Sequence, residues 1–170
     1  TVEIDFKALH VSLLYAIKLR EVWPYSEDPF VLQRLVDFAP DLVTQRKWVK
    51  QLVLQCLNAS SKEDAFAAFR NESDIGSLAK RLKNEQLAVL LDAFVSEHPR
   101  LEKFLLDDLG VELMNYDSQL MAHIIRQCTK RNIPILTIHD SCVCRRSDFS
   151  EVRAFMTMAS IREVGYDLFV

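Results

Sequence analysis

The stretch Ile133-Pro-Ile-Leu-Thr-Ile-His-Asp-Ser-Cys-Val-Cys144 is apolar and rich in β-branched residues except at its centre, where His139, Asp140 and Ser141 interrupt it. Ile133, Ile135, Thr137, Ile138 and Val143 favour extended backbone, and Asn132-Ile-Pro134 breaks any preceding helix. The stretch therefore predicts a β-hairpin with polar residues at its turn. An ionised carboxylate at the end of an apolar strand must be solvated, paired or bound to a cation, because burying it alone costs several kcal/mol. Asp140 is thus either a turn-capping residue, the commoner use of aspartate in such a place, or a ligand.

The rest of the chain limits what such a hairpin can belong to. With 170 residues, 49% of them hydrophobic, and only 3 Gly and 5 Pro, the protein can bury a sizeable core and predicts one helix-rich globular unit of α+β class. Its 21 Lys+Arg against 24 Asp+Glu give a net charge of −3, so it does not hold nucleic acid by overall charge, and any such contact must be local. No signal peptide or long apolar span is visible, and Cys56, Cys128, Cys142 and Cys144 lack CxxC spacing. A reducing, cytoplasmic setting without a membrane is expected. Cys142 and Cys144 alternate on one strand face and read as small core residues rather than metal ligands.

Upstream, Thr1-Val-Glu-Ile-Asp5 predicts a short strand that runs directly into a helix over Phe6 to Arg20, with Asp5 at the junction as a potential helix cap. Because the strand begins without a methionine, a longer protein or a completing partner is expected. Residues 23–30, Trp-Pro-Tyr-Ser-Glu-Asp-Pro-Phe, read as a loop, followed by a short helix over Val31 to Phe38. Asp41 to Asn58 reads as an amphipathic helix with Leu42, Val49, Leu52, Val53, Cys56 and Leu57 apolar and Arg46, Lys50, Leu54 and Asn58 on the other face. Two cations at i and i+4 repel each other unless an anion lies between them, and a triphosphate is one such anion. Further helices are predicted from Ser60-Ser61 through Arg70 and from Ser77 to Glu97, with Leu78, Leu82, Leu87, Leu90, Leu91 and Phe94 as core. Others run from Arg100 to Leu109 with Gly110 as C-cap, from Val111 to Lys130, and from Ser147 to Glu163 before a terminal strand, Tyr166 to Val170. On the Val111 helix, Asn115, Asp117, Ser118, Gln119 and His123 form a polar cluster one helix before His139-Asp140.

Three elements, in this order and spacing, resemble the single-subunit polymerases, which include family A DNA polymerases and phage-type RNA polymerases. Val2-Glu-Ile-Asp5-Phe6-Lys-Ala-Leu resembles their first palm motif. Arg46-x3-Lys50-x7-Asn58-Ala59 resembles the fingers helix that grips the incoming triphosphate. Ile138-His139-Asp140-Ser141 resembles the last palm motif, with the serine found in phage-type RNA polymerases, and Leu113 to Arg126 resembles the helix before that hairpin. The resemblance implies a palm over residues 1–20 and 111–170, with its small antiparallel sheet packed by helices. It implies a helical fingers region over 21–110, and a thumb supplied by a missing N-terminal region or a partner. It implies template-directed nucleotidyl transfer of the kind used in DNA replication, with two Mg²⁺, or Mn²⁺ in their place, held by Asp5, Asp140 and the Phe6 carbonyl. His139 would contact the primer end, and Arg46, Lys50, Asn58 and His10 would meet the nucleoside triphosphate. Asn115, Ser118 and Gln119 would line the template and primer.

Two departures from the family bear on specificity. Asn58-Ala59 stands where the fingers helix usually ends in Tyr-Gly, and His10 stands where the DNA polymerases carry a glutamate that excludes ribonucleotides. Sugar choice is therefore left open by the motifs. Two other classes compete with the polymerase reading. One is a non-catalytic polymerase-like domain that binds nucleic acid or a partner protein. The other, more distant, is a His-Asp metal phosphohydrolase drawing on His98, His123, His139 and Asp140. His-Asp in such sites lies on a helix, whereas Ile135 to Ile138 reads as strand.

Overall fold

The computed structural model describes residues 1–22, 28–168 and 170, and the expected loop residues 23–27 and position 169 lie outside it. The protein is α+β and mostly helical, with one three-stranded antiparallel sheet among the described residues. It divides into two compact units, Thr1–Ser26 with Glu112–Val170, and Glu27–Val111.

The first unit is built on the sheet. Strands β1 (Val2–Asp5), β2 (Leu136–Ile138) and β3 (Ser141–Cys144) lie in the order β1-β3-β2, so the N-terminal strand adds antiparallel to the outer side of the hairpin. Val2 faces Cys144, Ile4 faces Cys142, and Asp5 faces Ser141. Directly opposed residues share a face, and alternate residues along a strand do too. One face therefore carries Ile4, Cys142 and Cys144, all buried, and the other carries Glu3, Asp5, Ser141, Val143, Leu136 and Ile138. Helix α6 (Phe149–Val164) packs on β1 and β3, and it closes at Gly165, whose φ of 82° suits a residue without Cβ. Burial pushes the Cys142 thiol up to about 12, so it behaves as a small core side chain, as its place on the strand suggested.

After β1 the chain turns through Ala8, which takes the left-handed conformation at φ 45°, into α1 (Leu9–Leu14) and a π-helical turn, Tyr15–Leu19. Asp5 is thus a strand residue and does not cap the helix, because three residues separate it from Leu9. Helix α5 (Gly110–Lys130) precedes the hairpin as expected.

The second unit is helical. In it, α2 (Leu42–Leu57), α3 (Lys62–Glu72) and α4 (Asn84–Glu97) pack on one another around Trp48, Leu52, Phe66, Phe69, Leu90 and Phe94. The caps of α2 and α3 fall on residues suited to them: Asp41 accepts from the Thr44 amide at 2.7 Å, and Ser61 accepts from the Asp64 amide at 3.1 Å. Trp48 is buried there, whereas Leu42, expected in the core, lies at the first turn of the helix and is 50% exposed.

Four expectations give way to non-local hydrogen bonds, three of them through side chains, that local periodicity does not encode. Residues 31–38 form turns rather than a helix. Their backbone groups bond to side chains instead: the Val36 amide donates to Gln45 Oε1 at 2.7 Å, Gln45 Nε2 donates to the Arg34 carbonyl at 2.7 Å, and the Gln33 amide donates to Glu97 at 2.9 Å. The helix expected from Ser77 to Glu97 is split into a 3-10 turn, Ala79–Arg81, and α4. Between them Leu82 is extended, and its carbonyl accepts from Arg70, which also reaches Asn84 at 2.9 Å. The break buries Leu82 and leaves Leu78 55% exposed, against expectation.

The helix expected over Arg100 to Leu109 is only a 3-10 segment, Pro99–Phe104. Beyond it, the amides of Leu106 and Asp108 donate to the carbonyls of Cys56 and Ala59, at 2.7 and 3.2 Å, at the end of α2. Gly110 opens α5 instead of capping a helix, and a Cβ there would collide with the Asn58 carboxamide. Finally, residues 166–168 and 170 do not form the expected terminal strand; the Leu168 amide bonds to Ser160 Oγ at 3.1 Å instead.

Gln45 is 1% exposed and satisfies one donor and one acceptor of the 34–36 segment. Replacing it with Ala strands both backbone groups, and Gln45→Ala should lower stability to urea by about 2–3 kcal/mol. A midpoint within experimental error of the parent would show that water replaces this side chain at no cost.

Candidate functional site

The first unit gathers the polar residues singled out in the hairpin and in β1. Asp5 closes β1 directly opposite Ser141, and the amide of Phe6 reaches the Asp140 carbonyl at 3.5 Å. The two aspartates, from opposite ends of the chain, therefore sit at the same end of the sheet. His139 occupies the turn in the left-handed region at φ 52° and is exposed, while Asp140 is half-buried. Among the described residues the Asp140 carboxylate makes no hydrogen bond, so it does not cap its own turn. The hydroxyl of Ser141 takes that turn contact, 3.1 Å from the Ile138 carbonyl, and approaches Glu3 Oε1 more closely, at 2.6 Å. Glu3 thus joins the same face, a contact that strand alternation implies once the register is known.

Helix α5 adds Asp117. One of its oxygens, Oδ1, is occluded from solvent and accepts no hydrogen bond among the described residues. Burial first, and then the Asp140 charge, hold its carboxyl above the usual carboxylate range, while His10 and His139 pull it back. Asp117, Asp140, His10 and His139 therefore share one electrostatic neighbourhood. Asn115, Ser118 and Gln119 lie exposed on the same helix, and Ser118 Oγ donates to the Asn115 carbonyl at 2.7 Å within it.

The carboxylates here offer hard oxygens, the type that suits Mg²⁺ or Mn²⁺, and one of them, Asp117 Oδ1, is occluded with no hydrogen bond among the described residues. Among those residues no three His, Cys, Asp or Glu side chains converge on one point fit for a metal ion. Magnesium commonly takes one or two protein carboxylates and completes its shell with water and substrate phosphate, so Asp5 and Asp140 match it in donor type.

The other two histidines are tied elsewhere. His98 Nε2 lies 2.9 Å from the Pro29 carbonyl, its ring packs 4.7 Å from that of Phe94, and burial lowers its pKa. His123 is buried on α5 with Nδ1 3.8 Å from Glu163, and burial and then Arg162 lower its pKa. Both are packed, neutral core histidines, which leaves a His-Asp phosphohydrolase site without its ligand set.

The second unit carries the basic face of α2. Arg46, Lys50, Leu54 and Asn58 recur every four residues along one stripe. Lys50 is exposed and makes no ion pair among the described residues, whereas Arg46 directs Nε and Nη2 at a single oxygen of Asp28, at 2.7 and 2.5 Å. Asn58 ends the helix and donates to the Leu54 carbonyl at 2.7 Å. Comparison with protein-family models, curated proteins and solved structures returned no match. No helix among the described residues is long and apolar enough to cross a membrane.

The raised pKa of Asp117 has a consequence for stability. The folded state holds this proton more tightly than the unfolded chain does, so the contribution is present below the unfolded value of 3.8 and is lost as pH rises through the folded pKa. At pH 7 the ionised group works against the fold. Asp117→Asn should therefore raise the urea midpoint at pH 7, with the gain vanishing near pH 3; an unchanged or lower midpoint at pH 7 would contradict the placement.

Proposed function

We propose that this chain is the palm and fingers part of a template-directed nucleotidyltransferase of the family A DNA polymerase type. The observation that supports the reading most is the antiparallel docking of β1 beside the hairpin, with Asp5 in register with Ser141 and next to Asp140. A capping role for Asp5 and a turn role for Asp140, the ordinary alternatives, do not require the strand pairing, and among the described residues the Asp140 carboxylate makes no turn hydrogen bond.

In this reading Asp5, Asp140 and the Phe6 carbonyl would hold two Mg²⁺. When bound, the ions favour the ionised primer 3′-hydroxyl and neutralise charge gathering on the pyrophosphate. The chain's own groups position and balance charge. Arg46 binds phosphate oxygens with its planar fork, and Lys50, one turn along, supplies a point charge to the leaving group. His139, exposed at the turn, contacts the primer end, and Asn115 and Gln119 present amides to the template strand. His10, in the electrostatic neighbourhood of Asp117, would meet the nucleotide's sugar. A histidine there, with Asn58 in place of a tyrosine, implies weak selection between ribose and deoxyribose.

The test is primer extension by the full-length protein with Mg²⁺. Asp5→Asn and Asp140→Asn should each cut the rate by at least about 10²-fold, the scale of removing one group that stabilises developing charge, with duplex binding retained. Lys50→Ala should raise the apparent KM for nucleotide with little change in template affinity. Duplex binding without extension by the unsubstituted protein would favour the non-catalytic, polymerase-like alternative, and absence of both would end the reading.

A further inference from the structure

Arg46, the residue assigned to the triphosphate, already holds an anion. Asp28 Oδ2 receives both Nε–H and Nη2–H, so the two donors along one edge of the guanidinium are in use. The carboxylate is fixed in turn, because Asp28 Oδ1 accepts from the Phe30 amide at 2.9 Å in a short local turn. Neither partner is deeply buried: the Arg46 and Asp28 side chains are 37% and 33% exposed, within reach of a dissolved anion. Lys50, four residues on along the same stripe, makes no ion pair among the described residues. Among the described residues, this stripe of the helix therefore presents one cation with an anionic partner and one without.

We propose that Asp28 is a built-in competitor for the triphosphate, an internal carboxylate that occupies the phosphate-binding edge of Arg46 and must be displaced for nucleotide to bind. The proposal rests on the assignment of Arg46 to the triphosphate. Asp28 Oδ2 takes both donors on the Nε/Nη2 edge, the same edge a phosphate would take, so the two ligands exclude each other there. Exchange favours the nucleotide because a triphosphate carries more charge than one carboxylate and engages Lys50 in the same step. Displacement also frees the Asp28 side of the 28–30 turn, so nucleotide binding is coupled to release of that segment from α2. Asp28 in this role sets the nucleotide concentration at which the helix face fills, and it keeps weaker anions such as single phosphates off Arg46.

Asp28→Asn tests this cleanly, since the amide oxygen can still accept from the Phe30 amide while the competing charge is gone. Calorimetric titration of the full-length protein with tripolyphosphate, and separately with a deoxynucleoside triphosphate, should give about three-fold tighter binding for Asp28→Asn, the release of a partly exposed ion pair. In an Arg46→Ala background binding should be weaker, and the same substitution should give a smaller gain. Equal or weaker binding by Asp28→Asn, while Arg46→Ala still weakens it, would overturn the competitor and leave the assignment of Arg46 intact. Unchanged binding by Arg46→Ala would overturn both. In the unsubstituted protein the Arg46 Nε–H resonance should shift on saturation with tripolyphosphate, and an unmoved resonance would also overturn the proposal.

Discussion

The pairing of β1 with β3 is the constraint on which the first unit depends. Side chains alternate with a period of two along a strand, so a slip of one residue in this pairing would turn Asp5 and Glu3 into the α6 interface and expose Ile4. Register is held by the burial of Ile4 against Cys142 on one face and by the Ser141–Glu3 hydrogen bond on the other. The same alternation that buries the cysteines therefore delivers Asp5 to the open face beside the hairpin turn. Core packing and the placement of the carboxylates follow from one hydrogen-bond ladder.

Much of this was legible because the signals are local. The hairpin follows from β-branched residues on either side of a polar turn, α2 and α3 from Asp41 and Ser61 before periodic apolar residues, and α5 from its spacing alone. What periodicity misses is the capture of backbone groups by partners distant in sequence, side chains in most cases and backbone carbonyls in one. Gln45 and Glu97 draw residues 33–36 out of helix, Arg70 interrupts the helix before Asn84, and the end of α2 takes the amides of Leu106 and Asp108. Leu78 and Leu42 read as core for the same reason, since the pattern that marks a buried stripe continues past the point where the helix stops or its end reaches solvent.

The candidate site was legible in its residue types but not in its partners. Asp5, His139 and Asp140 could be picked from their positions at strand ends. The occlusion of Asp117 and its exposure to the Asp140 charge depend on how α5 is placed relative to the hairpin turn, which no spacing records. On the second unit, the cations of α2 were visible as an i, i+4 pair, whereas the anion between Arg46 and solvent comes from Asp28, eighteen residues earlier in a segment without regular structure. Charge repulsion along a helix face can be relieved by the protein itself, and here it is relieved at one position and left at the other.

The discontinuity of the first unit has a consequence for synthesis. β1 is made well before β3, the strand it pairs with, whereas the helical residues between them, up to Val111, are contiguous and can close on themselves. The nascent chain must carry a strand with a buried-type face, Ile4 and Phe6, until residues 141–144 have been made. Its two exposed carboxylates, Glu3 and Asp5, are the charges that keep such an edge from pairing with the wrong partner during that wait. The same side chains that form the candidate site thus serve the polypeptide before the site exists.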